Sequence, residues 1–284
     1  MVVFYALGGG LGHLTRARRV VAKLGLDGDA VLLTASRHAS DPRVTGGLEV
    51  VEVPQRLTDD RSGFRRWVAA ALHDVQASEL FVDTFPGGIL GELCGLELPP
   101  AQLVSRRLRW PAYRPRLAGP LPAYEAAHVI EPLSTAHLEV LSAIARRVEP
   151  LSLSDGRPPS GAPLLEQPHA LVVHGGPAEE LNELIELAHV VRRGPQVRVL
   201  IASPRRPDRL RGGAAWCDVY PVAPHLHHAE AIVTAAGWAA MQDAEHVRDR
   251  HRFMPFPRPL DDQFWRARWA LRRTPTQAPD TLLT

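Results

Sequence analysis

Only two cysteines, Cys94 and Cys217, occur in the 284 residues, too few for a disulfide scaffold or for a zinc site built on thiolates. Lysine is almost missing: Lys23 stands alone, and the rest of the 33 basic side chains are arginine. Against 31 acidic residues this leaves a net charge of +2, too weak a field to argue for nucleic acid as the principal partner. Long apolar runs are missing too. The longest nearly uncharged stretch, 231–241, is about half of the roughly 20 residues that cross a bilayer. Nothing at the start reads as a secretory signal, so the expected setting is reducing and cytoplasmic. What is present is ordinary globular composition, 45% hydrophobic and 23% charged, in a chain long enough for two domains.

The apolar pattern alternates between strand and helix periods. Strands are predicted at 2–7, 30–33, 48–53, 80–82, 101–104 and 127–130, with helices at 14–24, 64–76, 89–94 and 134–145. Residues 152–168 are rich in Ser, Gly and Pro and read as a linker. The pattern then restarts, with strands at 170–173, 197–202, 219–220, 231–234 and 253–254 and helices at 179–191, 239–247 and 262–271. The fold class predicted is α/β, with two Rossmann-like, doubly wound parallel sheets facing a cleft. Their domains span 1–151 and 169–273, and a polar tail at 274–284 is expected to fray.

Chemistry concentrates where predicted strands end. Gly8-Gly9-Gly10-Leu11-Gly12-His13 follows the first strand, so bare backbone amides at a helix start can approach an anion or a sugar. The spacing fails the Gly-x-Gly-x-x-Gly dinucleotide fingerprint, because the third position is His13 and no carboxylate ends the second strand. His13 itself either caps the helix or takes a proton from an attacking hydroxyl. Asp83, ending the 80–82 strand before Thr84-Phe85-Pro86-Gly87-Gly88, either shapes a turn, acts as the base, or orients His13. A second glycine turn, His174-Gly175-Gly176-Pro177, again opens a helix. Further on, Gly237-Trp238 is followed six residues after the glycine by Asp243, a carboxylate suited to two ribose hydroxyls. Pro255-Phe256-Pro257-Arg258-Pro259 then leads to Asp261-Asp262-Gln263-Phe264-Trp265. Arg106, Arg107, Arg109, Arg114 and Arg116, interleaved with Trp110 and Tyr113, are either a solvated loop or a surface for an acidic acceptor, a phospholipid or nucleic acid. His225, His227 and His228 have no companion carboxylate or cysteine at a fixed spacing, so no metal is expected.

Together, Gly-Gly-Gly-Leu-Gly-His-Leu-Thr-Arg-Ala at 8–17, His-Gly-Gly at 174–176, Ala-Gly-Trp at 236–238 and the Pro-Phe-Pro loop leading to Asp-Gln-Phe-Trp resemble a family. It is that of the two-Rossmann-domain (GT-B type) nucleotide-sugar glycosyltransferases, in particular the peptidoglycan N-acetylglucosaminyltransferases and their predicted relatives. The resemblance implies that the second domain holds uridine diphosphate, with ribose at Asp243, where the family has the longer Glu. It implies diphosphate facing Gly175 and Gly176 and donor sugar at Asp262 and Gln263. His13 becomes the base or a contact near the reaction centre. Gly10, Gly12, His174, Gly237 and Trp238 lie in the same motifs and are read as donor-side contacts. The cation that holds the diphosphate falls on Arg205 or Arg206, and position 240, often a small hydroxyl residue, is Ala240. The implied reaction moves a sugar from a nucleoside diphosphate, with inversion, to an acceptor hydroxyl that is lipid-linked or phosphate-bearing. No cofactor is needed, and peripheral contact with the inner face of a membrane is compatible. The alternatives are a non-catalytic nucleotide-sugar-binding protein and a nucleotide-sugar epimerase of the same architecture.

Overall fold

The opening apolar run forms β1 (Val2–Tyr5), whose last three residues are buried, as in a strand covered on both faces. The glycines after it release the chain into α1 (Leu11–Leu24), which turns Leu14, Ala17, Val20 and Val21 inward. Gly25 ends α1 in the left-handed conformation at φ 67°, its amide returning to the last turn. The computed structural model describes residues 1–57, 59–154 and 160–272.

The first unit comprises Met1–Leu153 together with Pro259–Asp262. After α1 come β2 (Ala30–Thr34), α2 (Pro42–Thr45), β3 (Glu49–Glu52), α3 (Arg61–Asp74), β4 (Glu79–Asp83) and β5 (Ala101–Ser105). They are followed by α4 (Trp110–Tyr113), β6 (Ala126–Val129), α5 (Thr135–Ile144) and β7 (Val148–Pro150). The seven strands are all parallel in the order β3-β2-β1-β4-β5-β6-β7. On one face Val3, Tyr5, Leu80, Val82 and Leu103 pack on Phe64, Val68 and Leu72 of α3. Each such side chain stabilises the unit by about 1.5–3 kcal/mol. The strand order reverses between β1 and β4, which pair with Tyr5 opposite Val82. In an open α/β sheet that reversal opens a crevice beyond the strands' carboxyl ends.

The second unit comprises Ser154–Arg258 and resumes at Gln263. It contains β8 (His169–Val173), α6 (Ala178–Val191), β9 (Arg198–Ala202), β10 (Ala215–Cys217), β11 (Ala231–Ala235), α7 (Trp238–Asp243), β12 (His251–Met254) and α8 (Gln263–Arg272). Its five strands are parallel in the order β10-β9-β8-β11-β12. The reversal here falls between β8 and β11. Val172, Val199, Ile201 and Val233 pack beneath Leu181, Leu184, Ile185 and Ala188 of α6. On the other face Leu171, Leu200 and Ile232 meet Leu226, Ala244 and Val247. Leu164 and Leu165, within the predicted linker, pack on that second face. Residues 155–159 of the linker and the tail at 274–284 lie outside the described residues.

Some local expectations are corrected. The helix predicted at 89–94 is a series of turns, because Gly88 and Gly91 both hold φ 84° and a Cβ on Gly91 would stand 2.1 Å from the Arg116 carbonyl oxygen. The strand predicted at 219–220 lies instead at Ala215–Cys217, since Pro221 restricts Tyr220 and brings no amide to a ladder. The helix predicted at 239–247 ends at Asp243 and a short 3₁₀ turn follows. Two short helices, α2 and α4, and the strand β7 carry too few residues to show a period. Among the described residues no helix is long and apolar enough to cross a membrane.

Candidate active site

Both ends of the first unit's reversal carry a predicted residue, and the structure brings them together. His13 lies in the first turn of α1, and Asp83 is the last residue of β4. Nδ1 of His13 is 2.5 Å from Oδ2 of Asp83. Two acceptors cannot sit so close, so Nδ1 carries the proton and donates it to the carboxylate. Nε2 is then the free basic nitrogen, and it has no hydrogen-bond partner among the described residues. The histidine side chain keeps 12% exposure against 5% for Asp83, so the imidazole is the member of the pair that meets solvent.

Charge around this pair is dense and buried. Arg16 donates from Nε to Oδ1 of Asp83 at 2.8 Å and from Nη2 to Oδ2 at 2.7 Å. Thr84, next along, accepts from Nε of Arg106 at 3.2 Å, and Arg106 in turn is ion-paired to Asp261. Thr84 holds φ 73°, a conformation that costs a β-branched residue roughly 1–3 kcal/mol and recurs where a chain is bent to aim a side chain. Burial alone would raise the Asp83 carboxyl, but Arg16 and His13 outweigh it and hold it well below the carboxylate range. Burial pushes the His13 imidazole below its ordinary value, against the upward pull of Asp83. The result is an ionised aspartate beside a neutral histidine.

The glycine turn leaves the backbone bare. Gly9 and Gly10 are exposed, and a Cβ on either would meet nothing within 4 Å. Gly10 caps α1 without a side-chain hydrogen bond, and no acid of the helix itself lies in its first turn. Gly12 is half-buried, with Arg16 beside it.

In the second unit the reversal likewise gathers predicted motifs, with Val173 of β8 paired to Thr234 of β11. Gly175 and Gly176 are exposed after β8, and Pro177 caps α6 with no side-chain bond. His174 is buried beneath that turn, its Nε2 3.2 Å from Oε2 of Glu180, and burial lowers its pKa. Glu180 receives Arg258 at both oxygens, at 2.5 and 2.6 Å. Gly237 caps α7, Trp238 is buried at 3% exposure, and Asp243 is half-buried at the end of the helix. Gln263 is buried, and its Oε1 accepts from the Phe256 amide at 3.0 Å, fixing the proline loop. Arg205, on the loop after β9, is exposed beside Asp208, while Arg206 lies over the Trp216 ring. Asp262 groups with the first unit, its Oδ2 3.5 Å from Nε of Arg107.

Sequence reasoning missed Arg16, Thr84, Glu180 and Arg258, and it named Arg106 and Asp261 without pairing them. Only Arg16 left a signal, being three residues after His13 and therefore on the same helix face. The arginine-aromatic stretch is corrected in part: Trp110 and Tyr113 are core residues with 9% and 0% exposure, so neither ring is open to stack on a base. Arg109 and Arg114 are exposed. His225 and His228 bond the carbonyls of Ala162 and Gly161, each at 2.8 Å. Among the described residues no group of three or more His, Cys, Asp or Glu is placed to hold a metal.

No family model matches the chain. A curated N-acetylglucosamine transferase of Paracidovorax citrulli, acting by its name on N-acetylmuramyl-(pentapeptide) pyrophosphoryl-undecaprenol with UDP-N-acetylglucosamine, is 30% identical over 206 residues. The match takes in 63% of this chain and 51% of the relative, so the chain spans about half the length of the curated relative it matches. Among solved structures, a spinosyn rhamnosyltransferase complexed with thymidine diphosphate aligns with a TM-score of 0.57 at 18% identity, over 94% of this chain and 83% of that one. A spinosyn forosaminyltransferase aligns with a TM-score of 0.61 at 12% identity, over 95% and 83%. A UDP-GlcNAc 2-epimerase from Neisseria meningitidis bound to UDP-GlcNAc aligns with 0.56 at 10%, over 90% and 82%. With two parallel Rossmann-like sheets in tandem and these likenesses across nearly all of its length, the chain has the GT-B fold of the nucleotide-sugar glycosyltransferases it resembles.

Proposed function

We propose that the protein is a glycosyltransferase that moves a sugar from a nucleoside diphosphate to an acceptor hydroxyl. The observation that carries the reading is the His13–Asp83 pair, a neutral imidazole oriented by an ionised carboxylate at the first unit's sheet reversal. Nε2 of His13 takes the acceptor's proton as its oxygen bonds to the anomeric carbon, and the bond from that carbon to the diphosphate breaks. A single displacement of this kind inverts the configuration. The departing charge is met by the bare amides at Gly175, Gly176 and the start of α6, with Arg205 as the accompanying cation. Glu180, in that first turn, is neutralised by Arg258 and so does not repel the diphosphate. Asp243 serves the ribose, Gly237 and Trp238 shape its pocket, and Gln263 serves the sugar.

Uridine as the donor base and a lipid-linked acceptor are supported by the curated relative's name, and such an acceptor implies work at the cytoplasmic face of a membrane without spanning it. The epimerase likeness supports a second reading, in which the donor itself is interconverted. Incubation with labelled UDP- and dTDP-sugars separates the two: release of nucleoside diphosphate with transfer to an acceptor supports the transferase, and a changed sugar still attached to nucleotide supports the epimerase. Stabilisation by the nucleotide with neither product leaves a binding protein and refutes both.

A further inference from the structure

Arg16 follows His13 by one turn of α1 and is 3% exposed. Its two bonds to Asp83 occupy both carboxylate oxygens, and the same Nη2 lies 3.1 Å from Nδ1 of His13 and 3.4 Å from Oγ1 of Thr84. Asp83 therefore does not face His13 alone. A planar guanidinium held at two points fixes the plane of the carboxylate and so the direction in which Oδ2 receives Nδ1–H. A permanent cation this close also opposes a second proton on the imidazole, offsetting the attraction of the aspartate.

We propose that Arg16 is a positioning residue: it clamps Asp83 and lies against His13, so that the imidazole stays neutral as the Nδ1–H tautomer with Nε2 open to the acceptor's proton. This rests on the reading of His13 as the base. The charged groups acting on His13 come from three elements: Arg16 from α1, Asp83 from β4, and Arg106 from the segment after β5. Arg106 is itself offset by Asp261, and the uncharged Phe85 ring lies 5.7 Å from the imidazole. The aspartate makes the histidine easier to protonate; burial opposes this most, and Arg16, 3.1 Å from Nδ1, opposes it further as a charge.

The test is to titrate His13 by NMR in isotope-labelled full-length protein, as wild type, Arg16→Met and Arg16→Lys. The wild-type ring should read as the Nδ1–H tautomer and take its second proton below the ordinary histidine value. Arg16→Met should move that titration upward by about one unit or more, and Arg16→Lys should bring it back to within about half a unit of wild type. The acid limb of kcat should move by the same amount while the donor KM stays within about twofold. A folded Arg16→Met protein with an unmoved titration would overturn the proposal. So would a wild-type ring protonated on Nε2, which needs no variant to fold. Because the titration uses neither donor nor acceptor, absence of turnover would count against the proposed function and leave this inference to be judged on the NMR alone.

Discussion

Gly8 lies directly under the His13 ring: a Cβ built on Gly8 would stand 2.2 Å from both Cδ2 and Nε2. No real side chain fits there, so the imidazole must leave its place if Gly8 acquires one. Gly9, one residue on, has open space instead. Gly8→Ala is expected to cost about 1–3 kcal/mol of stability and to lower turnover at least tenfold. Gly9→Ala should stay within about 0.5 kcal/mol of wild type. Chemical denaturation and steady-state rates on the two variants check this, and equal effects would show that the ring does not depend on the turn beneath it.

His13→Ala should reduce kcat by about 10²–10⁴ while stabilisation by nucleoside diphosphate persists, since the proposed reading puts the diphosphate at Gly175 and Gly176 and the ribose at Asp243. Activity should rise with pH along a limb below 6.5, because burial lowers the imidazole and the base is the unprotonated form. The stability that Asp83 contributes follows a different window. The folded Asp83 is depressed below its ordinary 3.8, so its contribution is complete above that value and disappears as pH falls through the folded one. Acid should therefore abolish the proposed activity reversibly before it unfolds the protein. Rates and intrinsic fluorescence measured across the same acid series decide, and coincident losses would refute the separation.

Much of the architecture could be read from apolar periods, because the central strands of both sheets, such as β1, β2, β8 and β11, are short buried runs. The motifs at 8–13 and at Asp83 could be read for the same reason: they stand at the carboxyl ends of β1 and β4, where the strand order reverses. What sequence could not supply is the partner of each charge. Arg106 read as one of five arginines of either a solvated loop or a binding surface, yet it is 6% exposed and tied to Thr84 and to Asp261, which lies 155 positions away. Such a pair leaves no local pattern. Glu92 likewise sat in a predicted helix, whereas the glycines around it impose a turn whose centre is its own carboxylate.

Two arginines of the second unit, Arg258 and Arg205, are expected to differ in kind. Arg258 binds both oxygens of Glu180, whose side chain is 13% exposed, and Arg258→Gln would leave that carboxylate half-buried without its fork of donors. A loss of about 1–3 kcal/mol follows. Arg205 is 81% exposed and Arg205→Gln should change stability by less than about 0.5 kcal/mol. In the proposed reaction Arg205→Gln instead weakens nucleoside-diphosphate binding severalfold. Denaturant midpoints and ligand-induced thermal shifts on both variants test the contrast, which fails if Arg205→Gln destabilises the protein as much as Arg258→Gln.

Glu92 makes a further pH dependence measurable. Its carboxylate is fully buried and accepts the amides of Ile89 and Leu90 at 3.2 and 2.7 Å. Burial outweighs those two bonds and pushes the group from 4.5 up to about 7. A folded value raised above the unfolded one means stability that is complete below pH 4.5 and lost as pH rises through 7. The shift corresponds to a loss of roughly 3 kcal/mol across that interval. Glu92→Gln keeps an oxygen for one amide and has no charge to bury, so its stability should vary much less over the same range. The difference between the two denaturation profiles isolates Glu92 from the histidines that titrate alongside it. Parallel profiles would assign the pH dependence to some other group, and would mean that the turn at 87–95 carries its carboxylate ionised at no cost.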